Sequence, residues 1–138
     1  MLSSNRRATR VAIKILIVDD EHSIVDSLRD IIGPAGYEVL CAYSGEEALA
    51  EASKSCPDIL LSDVLMPRMH GFELALQLKQ ICPDCHLLFF SGQAATAQLA
   101  QSFVHTFTRL GYRFELLPKP IHPEALLRKL QDSLTRAA

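Results

Sequence analysis

The chain has 138 residues, which fits one domain of ordinary size that can bury its core without disulfides or structural metal. Hydrophobic residues make up 49% and charged residues 22%, a composition typical of globular domains and not of disordered chains. The formal net charge is −2, so charge gives no reason to expect direct binding to nucleic acid or to an anionic membrane. No apolar run reaches the ~20 residues that a membrane-spanning helix needs.

The N-terminal segment carries three arginines and superficially resembles the basic start of a signal peptide. The apolar run after it is interrupted by a lysine, ends in acidic residues and has no small-residue cleavage site. We therefore interpret residues 1–12 as a disordered or vector-derived lead-in and residues 13–136 as the folded domain, with no output domain. A cytoplasmic location is expected.

Cysteines stand at positions 41, 56, 82 and 85. Cys82 and Cys85 have the C-x-x-C spacing of redox pairs and half zinc sites, but no second Cys or His pair completes a metal site. The motif also falls at a predicted turn between a helix and a strand. In a reducing cytoplasm we expect all four cysteines to be free thiols.

Three continuous apolar runs and two mixed segments predict five β-strands. The continuous runs are 15–18 (ILIV), 59–61 (ILL) and 87–90 (LLFF), and strands that are apolar on both faces are typical of the middle of a parallel sheet. Segments 39–43 and 114–117 alternate in polarity or contain a charge, which predicts edge strands.

Five amphipathic segments that follow these strands predict helices. Gly33-Pro34 ends the first of them, and Ser44-Gly45-Glu46-Glu47 has the form of a capping box at the start of the second. The second helix extends to Cys56-Pro57, the third covers 71–81, the fourth covers 94–110, and the fifth begins at Pro123. The predicted apolar stripes are Ile24, Val25, Leu28, Ile31 and Ile32 in the first helix; Phe72, Ala75 and Leu78 in the third; Leu99, Phe103, Phe107 and Leu110 in the fourth; and Leu126, Leu127, Leu130 and Leu134 in the fifth.

Strand–helix alternation repeated five times predicts an α/β domain with helices on both faces of a parallel sheet. In such sheets ligands bind at the carboxyl ends of the strands. The residues expected there are Asp19 and Asp20 after the first strand, Asp63 after the third, Ser91 after the fourth and Lys119 just beyond the fifth.

Carboxylates crowded at one edge either share a proton or recruit a cation. Because this set offers oxygen donors and no His or Cys, the fitting cation is hard: Mg²⁺, with Mn²⁺ as an alternative. A carboxylate held beside a metal and a lysine can attack a phosphoryl group and form an acyl phosphate. The pattern therefore predicts phosphoryl chemistry at this edge.

Four motifs in chain order carry a specific resemblance. They are KILIVDDE at 14–21, Asp63 followed by Met66-Pro67 and His70-Gly71, Ser91-Gly92, and Lys119-Pro120. Together they resemble the receiver domain of two-component response regulators, and in particular the single-domain chemotaxis-type regulators. The resemblance implies a three-layer flavodoxin-like (βα)5 domain, with a five-stranded parallel sheet in the order 2-1-3-4-5 and helices on both faces.

The resemblance also implies a role for each site residue. Asp63 would be the phosphoacceptor. Asp20 would bind the metal directly, Asp19 would hold metal-bound water, and Asp63 and the backbone carbonyl of Leu65 would complete the protein ligands. Lys119 would pair with the phosphoryl group.

Three further features of the family carry over to this sequence. Ser91 would be the switch hydroxyl that moves toward the phosphoryl oxygens. The bond from Lys119 to Pro120 is expected to be cis. Met66-Pro67 and Gly71 would shape the loop after the acceptor, with Gly71 adopting a backbone conformation that other residues resist.

The implied function is a phosphorelay signalling module and not an enzyme. It would accept a phosphoryl group from a sensor histidine kinase or a phosphotransfer protein, with only self-phosphorylation from small donors and slow autodephosphorylation besides. A downstream protein partner would bind the face formed by the fourth helix, fifth strand and fifth helix, and homodimerisation through that face is left open. No direct nucleic acid or membrane partner is expected.

Two features depart from the family pattern. Leu116 stands where the family usually has an aromatic residue that rotates on activation, and the segment from Ser91 to Lys119 is several residues longer than usual. Leu65 and Gln93 flank the route of hydrolytic water in the family, and an apolar Leu65 predicts a long-lived phosphoryl group.

Each candidate residue also has a purely structural alternative. Asp19 or Asp20 could cap the first helix, Asp63 could be a turn residue, Ser91 a loop hydroxyl and Lys119 a solvated surface charge.

Two other functions share part of the pattern. A haloacid dehalogenase-type phosphatase would need an aspartate at position 65, and a flavodoxin-type flavin site would need a phosphate-binding loop in place of the acidic residues after the first strand.

Overall fold

The computed structural model describes residues 12–92 and 94–136, so the predictions for Gln93 and for almost all of the N-terminal lead-in lie outside the described residues. Five strands and five helices alternate along them. The strands are β1 Lys14–Val18, β2 Glu38–Ala42, β3 Ile59–Asp63, β4 His86–Ser91 and β5 Phe114–Pro118. The helices are α1 His22–Ile32, α2 Gly45–Lys54, α3 Gly71–Ile81, α4 Ala94–Leu110 and α5 Pro123–Arg136, with a 3₁₀ turn at Gly33–Ala35.

The five strands form one parallel sheet in the order β2-β1-β3-β4-β5, which confirms the predicted fold class. After β1, the chain adds β2 on one side of β1 and then crosses to add β3 on the other side. The direction in which strands are added therefore reverses between β1 and β3. Val18 at the end of β1 pairs with Ser62 of β3, and Asp63 pairs with Phe90 of β4. The carboxyl ends of the three central strands therefore lie side by side.

Alternate residues of each central strand supply two separate cores, one on each face of the sheet. Ile15 and Ile17 of β1 pack with apolar residues of α1 and α5, while Leu16 and Val18 pack with apolar residues of α2, α3 and α4. The central strands are buried on both faces, whereas β2 and β5 at the edges are partly exposed, as predicted.

An aromatic cluster fixes α3 and α4 against β4 and β5. Phe72 of α3 lies at the centre, with its ring centroid 4.7 Å from that of Phe89, 5.4 Å from Phe103, 5.9 Å from Phe107 and 5.7 Å from Phe114. Ring contacts at these distances add to the free energy of area burial. The cluster accounts for the predicted stripe of α4, which has 17 residues and is the longest helix described.

Three local predictions need correction. Leu110 was expected on the buried stripe of α4 but is 49% exposed, because it is the last helical residue before Gly111 turns the chain with a φ of 76°. Helix α2 ends at Lys54, two residues before Cys56. Its capping is also displaced: Ser44 Oγ accepts from the Glu47 N–H, but the Glu47 carboxylate accepts from the N–H of Tyr43.

The cysteine prediction is half wrong. Cys56 and Cys82 form a disulfide, while Cys41 and Cys85 are free. Folding places Cys82, the C-terminal cap of α3, beside the loop that follows α2, with the two Cα atoms 5.6 Å apart, a separation that suits a disulfide. The pairing joins residues 26 apart in sequence, which spacing alone does not identify.

Among the described helices, none combines the length and apolar character needed to cross a bilayer.

Candidate functional site

Three carboxylates converge at the carboxyl edge of the sheet. Asp19 and Asp20 follow β1 directly, and Asp63 is the last residue of the neighbouring strand β3. One carboxylate oxygen from each of the three lies within 4.8 Å of the other two. Asp19 is buried, Asp63 is half-buried and Asp20 is exposed, so the cluster opens to solvent on the side of Asp20.

Lys119 reaches into this cluster from the end of β5. Its Nζ lies 3.3 Å from Oδ2 of Asp19 and 3.5 Å from Oδ1 of Asp63. The peptide bond from Lys119 to Pro120 is cis, as expected from the resemblance. The lysine therefore bridges two strands that are not adjacent in sequence, and it shares one positive charge between two carboxylates.

The acidic cluster is electrostatically strained. Burial, followed by repulsion from Asp19, raises the pKa of Asp63, although Lys119 and the Val64 N–H act in the opposite direction. For Lys119, burial works to lower the pKa, but attraction to Asp63 and then to Asp19 outweighs it and raises the pKa. One lysine does not neutralise three carboxylates, so the edge retains negative charge.

The donor set fits a hard divalent cation. It contains carboxylate oxygens and no nitrogen or sulfur ligand, which favours Mg²⁺ or Mn²⁺ over zinc or copper. Ligand oxygens around octahedral Mg²⁺ stand about 3–4 Å apart, given bond lengths of about 2.1 Å. The observed spread of at most 4.8 Å needs only small side-chain rotations to meet that geometry.

The loop after Asp63 is held by hydrogen bonds that its backbone N–H groups donate. The Val64 N–H donates to Asp63 Oδ1 at 3.1 Å, and the Gly71 N–H donates to the Val64 carbonyl at 2.8 Å. Between them, the Met69 N–H donates to the Pro67 carbonyl at 2.7 Å around Arg68, whose φ is 69°. This is the pattern of the uncommon positive-φ γ-turn, and such backbone strain is often found at functional sites.

Gly71 is required by close approach and not by an unusual backbone angle. A Cβ at this position would lie 2.4 Å from the backbone carbonyl oxygen of Asp63 and 3.1 Å from the Cα of Val64. The expectation of a special backbone conformation is therefore wrong, since among the described glycines only Gly36 and Gly111 have positive φ. The absent side chain lets α3 begin directly against the end of β3.

Gly71→Ala should destabilise the domain by about 1–3 kcal/mol, because backbone atoms of Asp63 and Val64 must shift to admit the methyl group. Gly33→Ala is the matched control: that glycine has a φ of −57° and nothing within 4 Å of the added Cβ. The control should be neutral or up to about 1 kcal/mol stabilising. Urea denaturation of the two variants measures both values, and equal stabilities would contradict the close-approach explanation.

His70 caps α3 in a way that the sequence did not indicate. Its Nδ1 accepts from the Glu73 N–H at 3.2 Å, and the Glu73 carboxylate accepts from the His70 N–H at 3.4 Å, which makes a reciprocal capping box. The His70 ring also contacts Phe103 of α4 edge to face, with centroids 5.1 Å apart. His70 thereby connects the loop after Asp63 to α4.

The remaining predicted residues occupy positions around this centre. Ser91 ends β4 opposite Pro118, which places it at the same edge as the carboxylates. Leu65 lies in the loop two residues after Asp63 and packs against the core. Leu116 is 40% exposed on β5. The alternative that Asp19 or Asp20 caps α1 is wrong, because the N-cap residue is Glu21, without a side-chain cap. Asp19 Oδ1 instead accepts from the Glu21 N–H at 2.9 Å, one residue before the helix begins.

The family model and the sequence relatives that match this chain point to the same protein family. The family model described as the response regulator receiver domain matches residues 15–131. The response regulator MprA of Mycobacterium bovis is 31% identical over 126 residues, which cover 91% of this chain and 52% of the relative. The alkaline phosphatase synthesis transcriptional regulatory protein PhoP of Bacillus subtilis is 46% identical over 67 residues, which cover 49% of this chain and 28% of the relative. The chain thus spans about half the length of MprA.

Solved structures agree with this family. The chemotaxis protein CheY4 of Vibrio cholerae superposes with a TM-score of 0.73 at 33% identity, over 88% of this chain and 98% of that chain. A CheY-like response regulator receiver domain protein of Methanospirillum hungatei superposes with a TM-score of 0.78 at 28% identity, over 91% of this chain and 96% of that chain. The matched family, the sheet order and the acidic edge all agree, and the chain belongs to the response regulator receiver domain family of two-component signalling proteins.

Proposed function

We propose that the domain accepts a phosphoryl group on Asp63 from a sensor histidine kinase or a phosphotransfer protein, in a reaction that depends on Mg²⁺. One observation carries the proposal: the oxygens of Asp19, Asp20 and Asp63 lie within 4.8 Å of one another, and the ammonium of Lys119 contacts two of these carboxylates. This arrangement provides a nucleophile, a place for a divalent cation and a fixed positive charge at one point.

Asp63 is suited to the nucleophilic role by its position. It is the half-buried member of the cluster, and the Val64 N–H and Lys119 hold its Oδ1. In the proposed step, an oxygen of Asp63 forms a bond to phosphorus while the bond from phosphorus to the imidazole nitrogen of the donor histidine breaks, and that imidazole takes up a proton. Asp63 becomes an aspartyl phosphate.

Lys119 and the divalent cation would divide the charge that the phosphoryl group brings. The ammonium of Lys119 already stands 3.5 Å from Oδ1 of Asp63 and would pair with a phosphoryl oxygen attached there. Bound Mg²⁺, held by Asp19, Asp20, Asp63 and the Leu65 carbonyl, would supply further positive charge to the phosphoryl oxygens. Ser91, at the same edge, would move toward the phosphoryl group as the switch hydroxyl.

The signal would pass to a partner protein through the face formed by α4, β5 and α5. Val104, Leu110 and Leu116 expose 46%, 49% and 40% of their surface on α4 and β5, which supports an apolar contact there. Because Leu116 replaces the usual aromatic residue, we propose that Ser91 and backbone shifts of α4 carry the change. We also propose that the receiver domain spans residues 13–136 and is cytoplasmic. It would catalyse nothing beyond its own phosphorylation from small donors and the slow loss of its phosphoryl group.

Incubation of the protein with acetyl phosphate and Mg²⁺ tests the proposal directly. Intact-mass measurement should show the gain of one phosphoryl group, and a chelator that removes Mg²⁺ should prevent it. The mass gain should disappear on treatment with hydroxylamine, which cleaves acyl phosphates. An unchanged mass in the presence of Mg²⁺ would overturn the proposed phosphoacceptor function.

A further inference from the structure

We propose that Cys56 and Cys82 form a reversible redox site, which exchanges with small thiols and disulfides of the glutathione class. The two residues belong to the loop after α2 and to the C-terminal cap of α3, and each stands shortly before a strand begins. They therefore lie at the amino edge of the sheet, opposite the carboxylate cluster. The inference is independent of phosphoryl transfer at Asp63.

The two sulfurs differ in access, and this difference fixes the direction of attack. Cys56 is exposed, whereas Cys82 is only 2% exposed. An external thiolate therefore reaches the sulfur of Cys56. The sulfur of the external thiolate forms a bond to Cys56 Sγ, and the bond between Cys56 Sγ and Cys82 Sγ breaks. The electron pair of that bond remains on Cys82 Sγ, which takes a proton from water.

A second external thiolate completes the exchange. It attacks the external sulfur of the mixed disulfide, releases Cys56 as a thiolate that is then protonated, and leaves as part of an oxidised external disulfide. In sum, two external thiols are oxidised to one disulfide while Cys56 and Cys82 are reduced to two thiols. The reverse sequence, with a small-molecule disulfide as the oxidant, closes the protein bond again.

Both redox states are compatible with the fold. Cys56 Sγ lies 3.5 Å from the carbonyl oxygen of Ile81, and Cys82 Sγ lies 3.9 Å from the carbonyl oxygen of Ala52. After reduction, each S–H therefore has an acceptor at the distance of a weak sulfur hydrogen bond. Neither thiol would be left as an unsatisfied donor in the reduced protein.

Cys85 does not compete for Cys82 despite the C-x-x-C spacing. It is only 3% exposed, and burial raises the pKa of its thiol to about 12. At neutral pH it is therefore protonated and a poor nucleophile. The C-x-x-C motif is consequently not the redox pair of this protein, and the pair is formed across two helix ends.

Thiol counting after equilibration with glutathione tests the site. The wild type is equilibrated with oxidised or reduced glutathione, and the exchange is stopped with acid. The protein is then alkylated with excess N-ethylmaleimide at neutral pH in denaturant, and its intact mass is measured. Two alkylated cysteines are expected after oxidation, at Cys41 and Cys85, and four after reduction. Reduction should also lower Tm by about 10 °C, the loss expected when a bond closing 26 residues opens in a domain of this size.

Two variants make the result specific. Cys56→Ser changes an exposed residue, so the fold should persist while Tm no longer responds to the glutathione ratio. Cys85→Ser should keep the full response. Four alkylated thiols after oxidation of the wild type, a peptide map that joins Cys82 to Cys85, or a response that survives in Cys56→Ser would each overturn the proposal. Phosphoryl uptake is measured on the same samples. A failure of the proposed redox site can then be told apart from a failure of the proposed phosphoryl transfer at Asp63.

Discussion

Asp63→Asn is expected to abolish phosphoryl uptake from acetyl phosphate. The amide nitrogen and oxygen of asparagine are poor nucleophiles, so no stable acyl phosphate can form at this position. We expect neither of the other two carboxylates to substitute for Asp63. Asp19 is buried and accepts from the Glu21 N–H, and Asp20 is exposed at the open side of the cluster. Intact-mass measurement should therefore show no added phosphoryl group.

The stability of Asp63→Asn separates loss of chemistry from loss of fold. Burial and the neighbouring Asp19 raise the pKa of Asp63 in the folded protein, so folding free energy is lost as the pH rises past the pKa of an unfolded aspartate. Removing that charge should leave the urea midpoint unchanged or higher. Asp30→Asn on the exposed side of α1 is the matched control and should take up phosphate normally. A phosphorylated Asp63→Asn protein would show that another residue is the acceptor.

The placement of Asp19, Asp20 and Asp63 could be predicted because it depends on short-range sequence signals. Apolar runs located the strands, and in a parallel α/β sheet their carboxyl ends lie at one edge. The long α4 followed in the same way from its periodic aromatic stripe. Strand order itself came from the family resemblance and not from periodicity.

What the sequence did not predict depends on close tertiary approach. Gly71 is needed because the Asp63 carbonyl lies where its side chain would be, and no local pattern encodes that distance. His70 was missed as a cap because Ser, Thr, Asp and Asn dominate that position. Cys56 and Cys82 meet only because two helix ends pack together. The exposure of Leu110 reflects where the helix ends, which periodicity does not fix.

Lys119→Met should lower the rate of phosphoryl uptake by about 100-fold and strengthen Mg²⁺ binding at the same time. The rate should fall because the variant loses the positive charge that stands 3.5 Å from Oδ1 of Asp63, the proposed acceptor, and removal of one such stabilising group typically has this size of effect. Mg²⁺ affinity should rise roughly tenfold, because the cation no longer shares the carboxylates with an ammonium group. Stopped-flow uptake and calorimetric Mg²⁺ titration measure the two changes.

Opposite signs for rate and metal affinity distinguish this explanation from simple damage to the site. A misfolded edge would weaken both, whereas removal of a competing charge strengthens metal binding alone. In the absence of metal, Lys119→Met leaves Asp19 buried beside other carboxylates without its partner, which should cost about 1–3 kcal/mol of stability. Added Mg²⁺ should restore most of that loss, since the metal then supplies the missing charge. Lys129→Met, at an exposed position on α5, should change none of these quantities, and weaker Mg²⁺ binding in Lys119→Met would contradict the shared-charge arrangement.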